Sequence, residues 1–301
     1  MRPAEQPLRQ ERRPAGAAEE GVEPVPSPQR VLAKARTENF PVALRLLPAA
    51  QRRHLLSIYA FARMVDDLGD ESSGDRLTRL DTVSRELDRI YIGRAPAAPL
   101  YRNLAGTIRA CGLPREPFER LVEANRRDQS VRRYRTFDDL LGYCTLSADP
   151  VGRLVLGVFG VTTPQREWLS DRICSALQVL EHCQDVAEDA RAGRIYLPGE
   201  DLERFGVTEA ALLAGQASRE LRALVGYEVQ RAVALLDEGM PLVGTLSGAA
   251  RAAVAGYVAG GRATAVALAD AGFDVWAGSP RPARARLAAE WAQLLFTGGA
   301  R

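Results

Sequence analysis

The sequence predicts an all-α protein, and three observations support this fold class. Apolar residues recur at three- and four-residue steps almost without interruption from about Gln29 onward, which is the period of an amphipathic helix. The interruptions fall at glycine, proline and threonine clusters typical of helix ends. Alternating apolar and polar runs typical of strands are scarce, and aromatic residues make up only 6% of the chain. We therefore expect helices joined by short loops.

Two segments are expected along the 301 residues. Residues 1–28 are rich in proline, glutamate, arginine and alanine and offer too little apolar surface to offset the entropy of ordering, so we predict a disordered tail. Residues 29–301 are predicted to form one all-α domain, which is long enough to bury a substantial core.

The predicted helices follow one another in order. Periodic apolar residues predict helices over 55–65, 77–90 and 173–186. A helical pattern over 143–152 is interrupted by small residues and a proline, which indicates a break there. The last stretch, 281–296, is amphipathic, with core packing as the first interpretation and a membrane-surface helix as the alternative. Clear breaks are predicted at 93–99, 112–114, 162–164, 197–199 and 278–280.

The charge balance argues against a nucleic-acid partner. The chain has 40 basic and 38 acidic residues, a net charge of +2. Nearly all the basic residues are arginines, with Lys34 the only lysine, and they are scattered rather than clustered. We therefore predict no nucleic-acid binding.

Cysteine usage and hydropathy favour a cytoplasmic protein. The four cysteines include no CxxC pair, so reduced thiols are expected. The N-terminus has no apolar signal-peptide core. No stretch of about 18 residues is free of charge; residues 241–272 come nearest and are broken by Arg251, Arg262 and Asp270. We expect no membrane span.

Two rows of carboxylates carry the predicted chemistry. Asp66 and Asp70 lie four residues apart, and Glu181, Asp185 and Asp189 repeat that step. On a helix such residues share one face, where like charges cost a few tenths of a kcal/mol. A bound cation would offset this repulsion, and oxygen ligands without histidine or thiolate suit Mg²⁺.

The residues flanking the rows add hydrogen-bonding groups. Tyr59 lies seven residues before Asp66, Gln178 lies seven before Asp185, and Arg63 lies three before Asp66, where it can meet a phosphate or pair with the aspartate. The alternative for each row is a solvated helix face. Two rows about a hundred residues apart weaken that alternative, yet spacing alone leaves both interpretations open.

The two rows, together with the sequence AGRIYLP at 192–198, resemble the squalene/phytoene synthase family of head-to-head prenyl synthases. The resemblance covers about residues 37–276. Within the family, ENFPVA at 38–43 and QDVAED at 184–189 are most similar to the bacterial hydroxysqualene synthase branch of hopanoid biosynthesis. Relatives that condense two prenyl diphosphates usually carry Ser-x-Ser-Phe at the start and an arginine in place of Gln184.

The resemblance implies an isoprenoid synthase fold, a helical bundle around a central apolar cavity. It implies a Mg²⁺-dependent carbon–oxygen lyase that converts presqualene diphosphate and water to hydroxysqualene and diphosphate. One alternative is a prenyltransferase that condenses two prenyl diphosphates to presqualene diphosphate, squalene or phytoene. Another is a catalytically silent scaffold or assembly relative. The implied partners are an isoprenoid diphosphate, a presqualene diphosphate synthase that hands it over, and the membrane surface.

The resemblance also assigns roles to residues. Glu181 departs from the family, which usually has asparagine at this metal-coordinating position. Its extra negative charge affects the number or affinity of bound metals. The implied magnesium ligands are Asp66, Asp70, Glu181, Asp185 and Asp189. The implied catalytic residues are Tyr59, Arg63, Asp66, Asp70, Asp185 and Asp189. The implied substrate-binding residues are Asn39, Phe40, Tyr59, Arg63, Gln178, Arg194, Tyr196 and Tyr257.

Other residues near the second row have structural interpretations. Arg194 follows Gly193, and such a pair can end a helix and satisfy its last carbonyls, so a structural role is the alternative to diphosphate binding. His182 points about a hundred degrees from Glu181 on a helix and is expected to pack or face solvent. The basic cluster at 132–135, after Asp128, is expected to be a solvated helix end, with a position near the mouth of the cleft as the alternative.

Overall fold

The computed structural model describes residues 47–70, 74–96, 98–215 and 217–298. The predicted tail, residues 1–28, lies outside these ranges, as do Asn39 and Phe40.

Helices dominate the described residues, as predicted. One isolated bridge, between Arg133 and Ile195, is the only β pairing within these ranges. The fourteen helices of the described residues are, in chain order, α1 (Ala49–Asp70), α2 (Arg76–Tyr91), α3 (Pro99–Cys111), α4 (Glu116–Arg127), α5 (Phe137–Ser147), α6 (Asp149–Val158), α7 (Pro164–Gln184), α8 (Val186–Arg191), α9 (Gly199–Phe205), α10 (Glu209–Leu213), α11 (Arg219–Gly239), α12 (Leu242–Thr245), α13 (Gly248–Asp270) and α14 (Arg284–Thr297).

The helix ends lie where the sequence predicts them, for identifiable reasons. α3 ends at Gly112, whose φ of 61° is left-handed and suits glycine. α7 begins with Pro164 after Thr163, whose side chain accepts a hydrogen bond from the backbone N–H of Arg166. The predicted break within 143–152 separates α5 from α6 at Ala148.

Two apolar clusters form the core. One is built mainly on α7, α11 and α13 and contains Leu180 and Leu224. The other is built mainly on α1 to α4, where the rings of Phe61 and Phe118 meet edge to face at 5.3 Å. Tyr257 on α13 packs against both clusters, so it lies at their junction.

α13 is the one helix of the described ranges that is long and apolar enough to cross a membrane by length and composition. Two-thirds (67%) of its apolar window is buried inside the protein. Its Arg262 pairs with Asp237 of α11 at 3.1 Å. These are properties of a core helix.

The C-terminal helix α14 packs its apolar face against α13. Leu294 is buried, and the indole Nε1 of Trp291 donates to the carbonyl of Ala252 at 2.9 Å. The first interpretation of this amphipathic stretch is therefore confirmed. Phe296, by contrast, is 90% exposed.

Candidate active site

α1 carries the first acidic row at its C-terminal end. Tyr59, Arg63 and Asp66 lie on successive turns of the helix, and Asp70 is its last residue. The guanidinium of Arg63 pairs with Asp67 at 2.9 Å. The first row therefore occupies the last two turns of α1 as described.

The second row does not lie on a single helix, which corrects the prediction. α7 ends at Gln184 and α8 begins at Val186, with Asp185 between them at φ −101°, ψ 11°. The helical hydrogen bonds nevertheless continue, from Asp185 N–H to Glu181 at 2.9 Å and from Asp189 N–H to Asp185 at 2.8 Å. The break therefore bends the second row, but its three carboxylates stay on neighbouring turns.

Arg194 brings the two rows together. Its Nη1 lies 2.5 Å from Oδ1 of Asp70, and its Nε lies 3.9 Å from Oδ1 of Asp189. One guanidinium thus contacts the last carboxylate of each row. The rows line one cleft, and they do not point apart into bulk solvent.

The carboxylates of the cleft are hard to ionise. Asp66 is open to the cleft yet surrounded by protein, and this desolvation raises its pKa to about 6, although the amide of Asn125 donates to it at 3.0 Å. Desolvation also raises the pKa of Asp189 to about 7, opposed by Arg194. Desolvation, with the charge of Glu188, raises the pKa of Asp185. These carboxylates therefore bind a proton more readily than exposed ones, although Arg194 stands between the two rows.

Asp128 belongs to the same cleft and is absent from the sequence-predicted site. It accepts a hydrogen bond from the Tyr143 hydroxyl at 2.6 Å. Desolvation raises its pKa to about 6, and the charges of Asp66 and Asp70 contribute. The sequence offers no periodic signal for it, because Asp128 follows α4 and its partner lies on α5.

The basic cluster at 132–135 lies beside the site, as the alternative interpretation of the sequence has it. The N–H of Ile195 donates to the carbonyl of Arg132 at 3.0 Å, and the guanidinium of Arg133 donates to the carbonyl of Gly193 at 2.8 Å. These bonds hold the Gly193–Arg194 turn in place. The cluster is therefore part of the frame that presents Arg194 to the cleft.

An aromatic stack lies beneath the cleft. The rings of His182 and Tyr196 are parallel at 3.7 Å, and Tyr134 stacks on Tyr196 at 5.7 Å. Desolvation lowers the pKa of His182 to about 3, so this histidine is neutral and has the expected packing role. Tyr196 is buried, and its charge environment includes Asp128, Arg194 and Asp189. Tyr196 thus lies in the protein interior next to Arg194.

An apolar cavity reaches the second acidic row at Glu181. The empty space in the cavity and its open mouth together is about 670 Å³. One face of α7 contributes Cys174 and Leu177 to the apolar wall and Gln178 and Glu181 to the polar end. Other lining residues are Ser147, Ala148, Val151, Gly152, Val155 and Tyr257. Small residues at the break between α5 and α6 therefore border the cavity.

The side chains of the cleft include the oxygen donors that Mg²⁺ prefers. Within the described residues, no three histidine, cysteine or acidic side chains converge into a ready-made metal-binding group. The acidic side chains of the cleft are nonetheless oxygen donors, and desolvation raises the pKa values of Asp66, Asp185 and Asp189, so a cation bound there would stabilise their charged forms. This chemistry fits a hard divalent cation.

A bundle of helices with two acidic rows at the polar mouth of an apolar cavity is the architecture of the isoprenoid synthase fold. Residues 33–290 match the squalene/phytoene synthase family, and the chain belongs to that family.

Several relatives place the chain within the family. It is 37% identical over 206 residues to a hydroxysqualene synthase of Zymomonas mobilis, covering 66% of this chain and 67% of the relative. It is 34% identical over 221 residues to a phytoene synthase of Arthrospira platensis, covering 67% and 71%.

Solved structures agree with the fold. The crystal structure of squalene synthase HpnC from Alicyclobacillus acidocaldarius is similar with a TM-score of 0.76 and 45% identity, covering 82% of this chain and 93% of that one. A dehydrosqualene synthase bound to a ligand has a TM-score of 0.79 at 24% identity, covering 89% and 96%, and shows the fold alone.

Proposed function

We propose that this protein converts presqualene diphosphate and water to hydroxysqualene and diphosphate with Mg²⁺, a carbon–oxygen lyase reaction that supplies hopanoid biosynthesis. The family acts on isoprenoid diphosphates. Similarity to hydroxysqualene synthases of Zymomonas mobilis and Rhodopseudomonas palustris supports the finer assignment.

The observation that carries the proposal is the junction of cleft and cavity on α7. A substrate with a long apolar body and an anionic head needs both environments in contact. Leu177 faces the apolar cavity while Glu181, one turn later, stands at its polar end, and Asp185 follows in the cleft. The head group would therefore lie among the acidic rows and the isoprenoid tails along α6 and α7.

Asp66, Asp70, Asp185 and Asp189 would hold Mg²⁺, with Glu181 at the position of the family's asparagine. When bound, the metal supplies positive charge that stabilises the departing diphosphate. Arg63 and Arg194 would bind the same diphosphate, and Tyr59 and Gln178 would orient it by hydrogen bonding. Arg194 already stands between the two rows. A diphosphate bound there would place its negative charge next to this guanidinium.

The reaction breaks the carbon–oxygen bond to diphosphate, which leaves with the electron pair. The cyclopropylcarbinyl cation rearranges, and a water oxygen forms the new carbon–oxygen bond. The proton released by that water balances the charge of the diphosphate. The apolar wall that includes Val151, Val155 and Tyr257 would restrict water to the polar mouth, so that one water reaches the cation.

Gln184 supports a substrate with one diphosphate. Relatives that condense two prenyl diphosphates carry arginine at this position. Here Gln184 is 2% exposed, and its neutral amide donates a hydrogen bond to the Pro280 carbonyl. The side chain at position 184 therefore offers no charge to a second diphosphate.

Head-to-head condensation is the second candidate. The observation in its favour is the 34% identity to a phytoene synthase, close to the 37% found for a hydroxysqualene synthase. A silent scaffold relative is disfavoured, because such a protein would be expected to lose the carboxylates that this chain retains in both rows.

We also propose a cytoplasmic location, with peripheral contact to membranes that supply the substrate or accept the product. The exposed Phe296 at the end of α14 is suited to such contact. Direct hand-over from a presqualene diphosphate synthase fits the same location.

The deciding experiment is product analysis by mass spectrometry. The protein is incubated with Mg²⁺ and farnesyl diphosphate alone, and separately with Mg²⁺ and presqualene diphosphate alone. Hydroxysqualene is expected only in the second incubation. Presqualene diphosphate formed from farnesyl diphosphate in the first incubation would favour the condensation instead.

A further inference from the structure

The segment between α13 and α14, residues 273–283, passes over the second acidic row, and we call it the strap. The Ser279 hydroxyl lies 3.3 Å from Oδ1 of Asp185 and donates to it. The next residue, Pro280, accepts the hydrogen bond from Gln184 at the end of α7. Two consecutive strap residues thus contact Gln184 and Asp185, two consecutive residues where α7 gives way to α8.

The strap is fixed at its start as well as over the row. Asp274 pairs with Arg222 at 2.6 Å and accepts backbone hydrogen bonds from Trp276 at 3.2 Å and Ala277 at 3.1 Å. The guanidinium of Arg191, on α8, lies 4.8 Å from the ring centre of Trp276. The strap is therefore a defined part of the cleft wall.

Arg281 follows directly from these contacts. It is exposed, and it lies between Pro280 and Pro282, which restrict the backbone on both sides. Among the described residues, no carboxylate lies within ion-pair distance of it. Ser279, two residues earlier, contacts Asp185, and Pro280, one residue earlier, contacts Gln184, so the chain brings Arg281 close to the second row. Arg281 is thus a cation held near the second row and available for an anion.

The other arginines of the cleft stand on different sides. Arg63 is paired with Asp67 on α1, and Arg194 bridges Asp70 and Asp189. A diphosphate held between the rows would be approached by Arg63 from α1 and by Arg194 from the turn after α8. Within the described residues, only the strap would approach this diphosphate from the side nearest Asp185.

We propose that Arg281 is a further diphosphate-binding residue of this site, and that Gln184 is the positioning residue that holds the strap in place for it. A guanidinium suits this task because it gives two parallel hydrogen bonds to phosphate oxygens. The assignment rests on the proposed function only in that the substrate carries a diphosphate. It involves binding alone, with no bond made or broken by Arg281.

The test is calorimetric titration of the full chain with inorganic diphosphate in the presence of Mg²⁺. Arg281→Ala is compared with Arg284→Ala, a matched control that also removes one exposed arginine, three residues later at the start of α14. We expect Arg281→Ala to weaken diphosphate binding about tenfold, as for loss of one charge-assisted contact, and Arg284→Ala to change it less than about twofold. Equal affinities of the two variants would overturn the proposal.

A second measurement tests the positioning role. Gln184→Met keeps the size of the side chain but cannot donate to Pro280, so we expect faster hydrogen exchange of the strap amides and weaker diphosphate binding. Diphosphate with Mg²⁺ should slow that exchange in the natural protein and not in Arg281→Ala. The inference would be contradicted if hydrogen exchange of the strap amides changed neither with diphosphate nor in Gln184→Met.

These outcomes are separable from those of the proposed function. Inorganic diphosphate binding is independent of which isoprenoid is converted, so a protein that makes no hydroxysqualene can still show dependence on Arg281. A protein that makes hydroxysqualene and binds diphosphate without Arg281 would refute only the strap assignment.

Discussion

The guanidinium of Arg194 lies 2.5 Å from the carboxylate of Asp70, although 124 positions separate the two residues in the chain. The same guanidinium reaches Asp189 at 3.9 Å. One arginine therefore links the end of the first acidic row to the end of the second. Without a ligand it supplies the positive charge between the rows, and with one it would face a diphosphate.

Replacing this arginine should move two affinities in opposite directions. In Arg194→Gln the carboxylates lose a nearby cation, so Mg²⁺ should bind roughly tenfold more tightly. Inorganic diphosphate should bind at least about tenfold more weakly, because a charge-assisted contact is lost. Calorimetric titrations with each ligand measure both effects. Arg194→Lys, which keeps the charge, is the control, and a parallel change of both affinities would contradict this view of Arg194.

The carboxylates should be needed for turnover but not for the fold. Asp66→Asn and Asp185→Asn should each lower kcat/KM with presqualene diphosphate by about 10²-fold or more while leaving the helical circular dichroism unchanged. Asp270→Asn, an exposed acid at the end of α13, is the matched control and should keep full activity. Full activity in both cleft variants would reject the metal assignment.

Metal-free Asp66→Asn should also be more resistant to heat than the natural protein at pH 8. The pKa of Asp66 is raised from 3.8 to about 6 by desolvation, so folding favours its protonated form. The stability that this group contributes is present below pH 4 and is lost as the pH rises through 6. The variant carries no such loss, since its amide oxygen can still accept from Asn125. The difference in melting temperature should therefore shrink towards pH 4.

The sequence predicted the helices because their ends are marked by local chemistry. Thr163 and Pro164 start α7, and Gly112 ends α3, through interactions within a few residues. The acidic rows were also visible, because four-residue spacing on a helix is itself local. What a short stretch of chain determines could therefore be predicted from the sequence.

Tertiary relationships could not be predicted in this way. Asp128 joins the cleft because α5 brings Tyr143 against it, and Gln184 meets Pro280 across 96 positions. The break at Asp185 has neither glycine nor proline to mark it, and the helical hydrogen bonds on both sides continue. A bend confined to one residue with intact hydrogen bonds leaves no trace in the apolar period.

A buried acidic pair behind the cleft should make stability depend on pH. Glu228 on α11 is 1% exposed, and Asp201 on α9 is 3% exposed. Arg231 lies 2.6 Å from Asp201 and 3.5 Å from Glu228. Desolvation raises the pKa of Glu228 from 4.5 to about 8, opposed by Arg231, while Asp201 and Glu200 raise it further. Folding therefore favours the protonated Glu228.

The sign of the effect follows from the raised pKa. The stability contributed by Glu228 is present below pH 4.5 and is lost as the pH rises through 8, with a total on the order of a few kcal/mol. Glu228→Gln should remove this fall, and Glu238→Gln, an exposed residue of the same helix, should retain it. Urea unfolding at pH 5, 6.5 and 8 measures the slope. Equal slopes in the two variants would show that Glu228 does not titrate in this range.

The glycine that lets α6 approach α7 should control both stability and cavity width. A Cβ added at Gly152 would lie 2.3 Å from the Ser170 hydroxyl and 2.5 Å from the Cys174 sulfur, both on α7. Gly152→Ala should therefore cost about 1–3 kcal/mol through overpacking, since these neighbours must shift. All three residues border the cavity, so its shape should change as well and KM for a long isoprenoid diphosphate should rise.

Gly142 supplies the matched control on α5. A Cβ there meets nothing within 4 Å, so Gly142→Ala should stabilise the protein by about 0.5–1 kcal/mol through the better helix propensity of alanine and leave KM unchanged. Urea unfolding gives the two free energies of unfolding, and steady-state kinetics gives the two KM values. The opposite signs are the test, because a general intolerance of helix glycines to alanine would destabilise both variants. If Gly152→Ala lost stability but kept its KM, the clash with Ser170 and Cys174 would lie outside the part of the cavity that the substrate occupies.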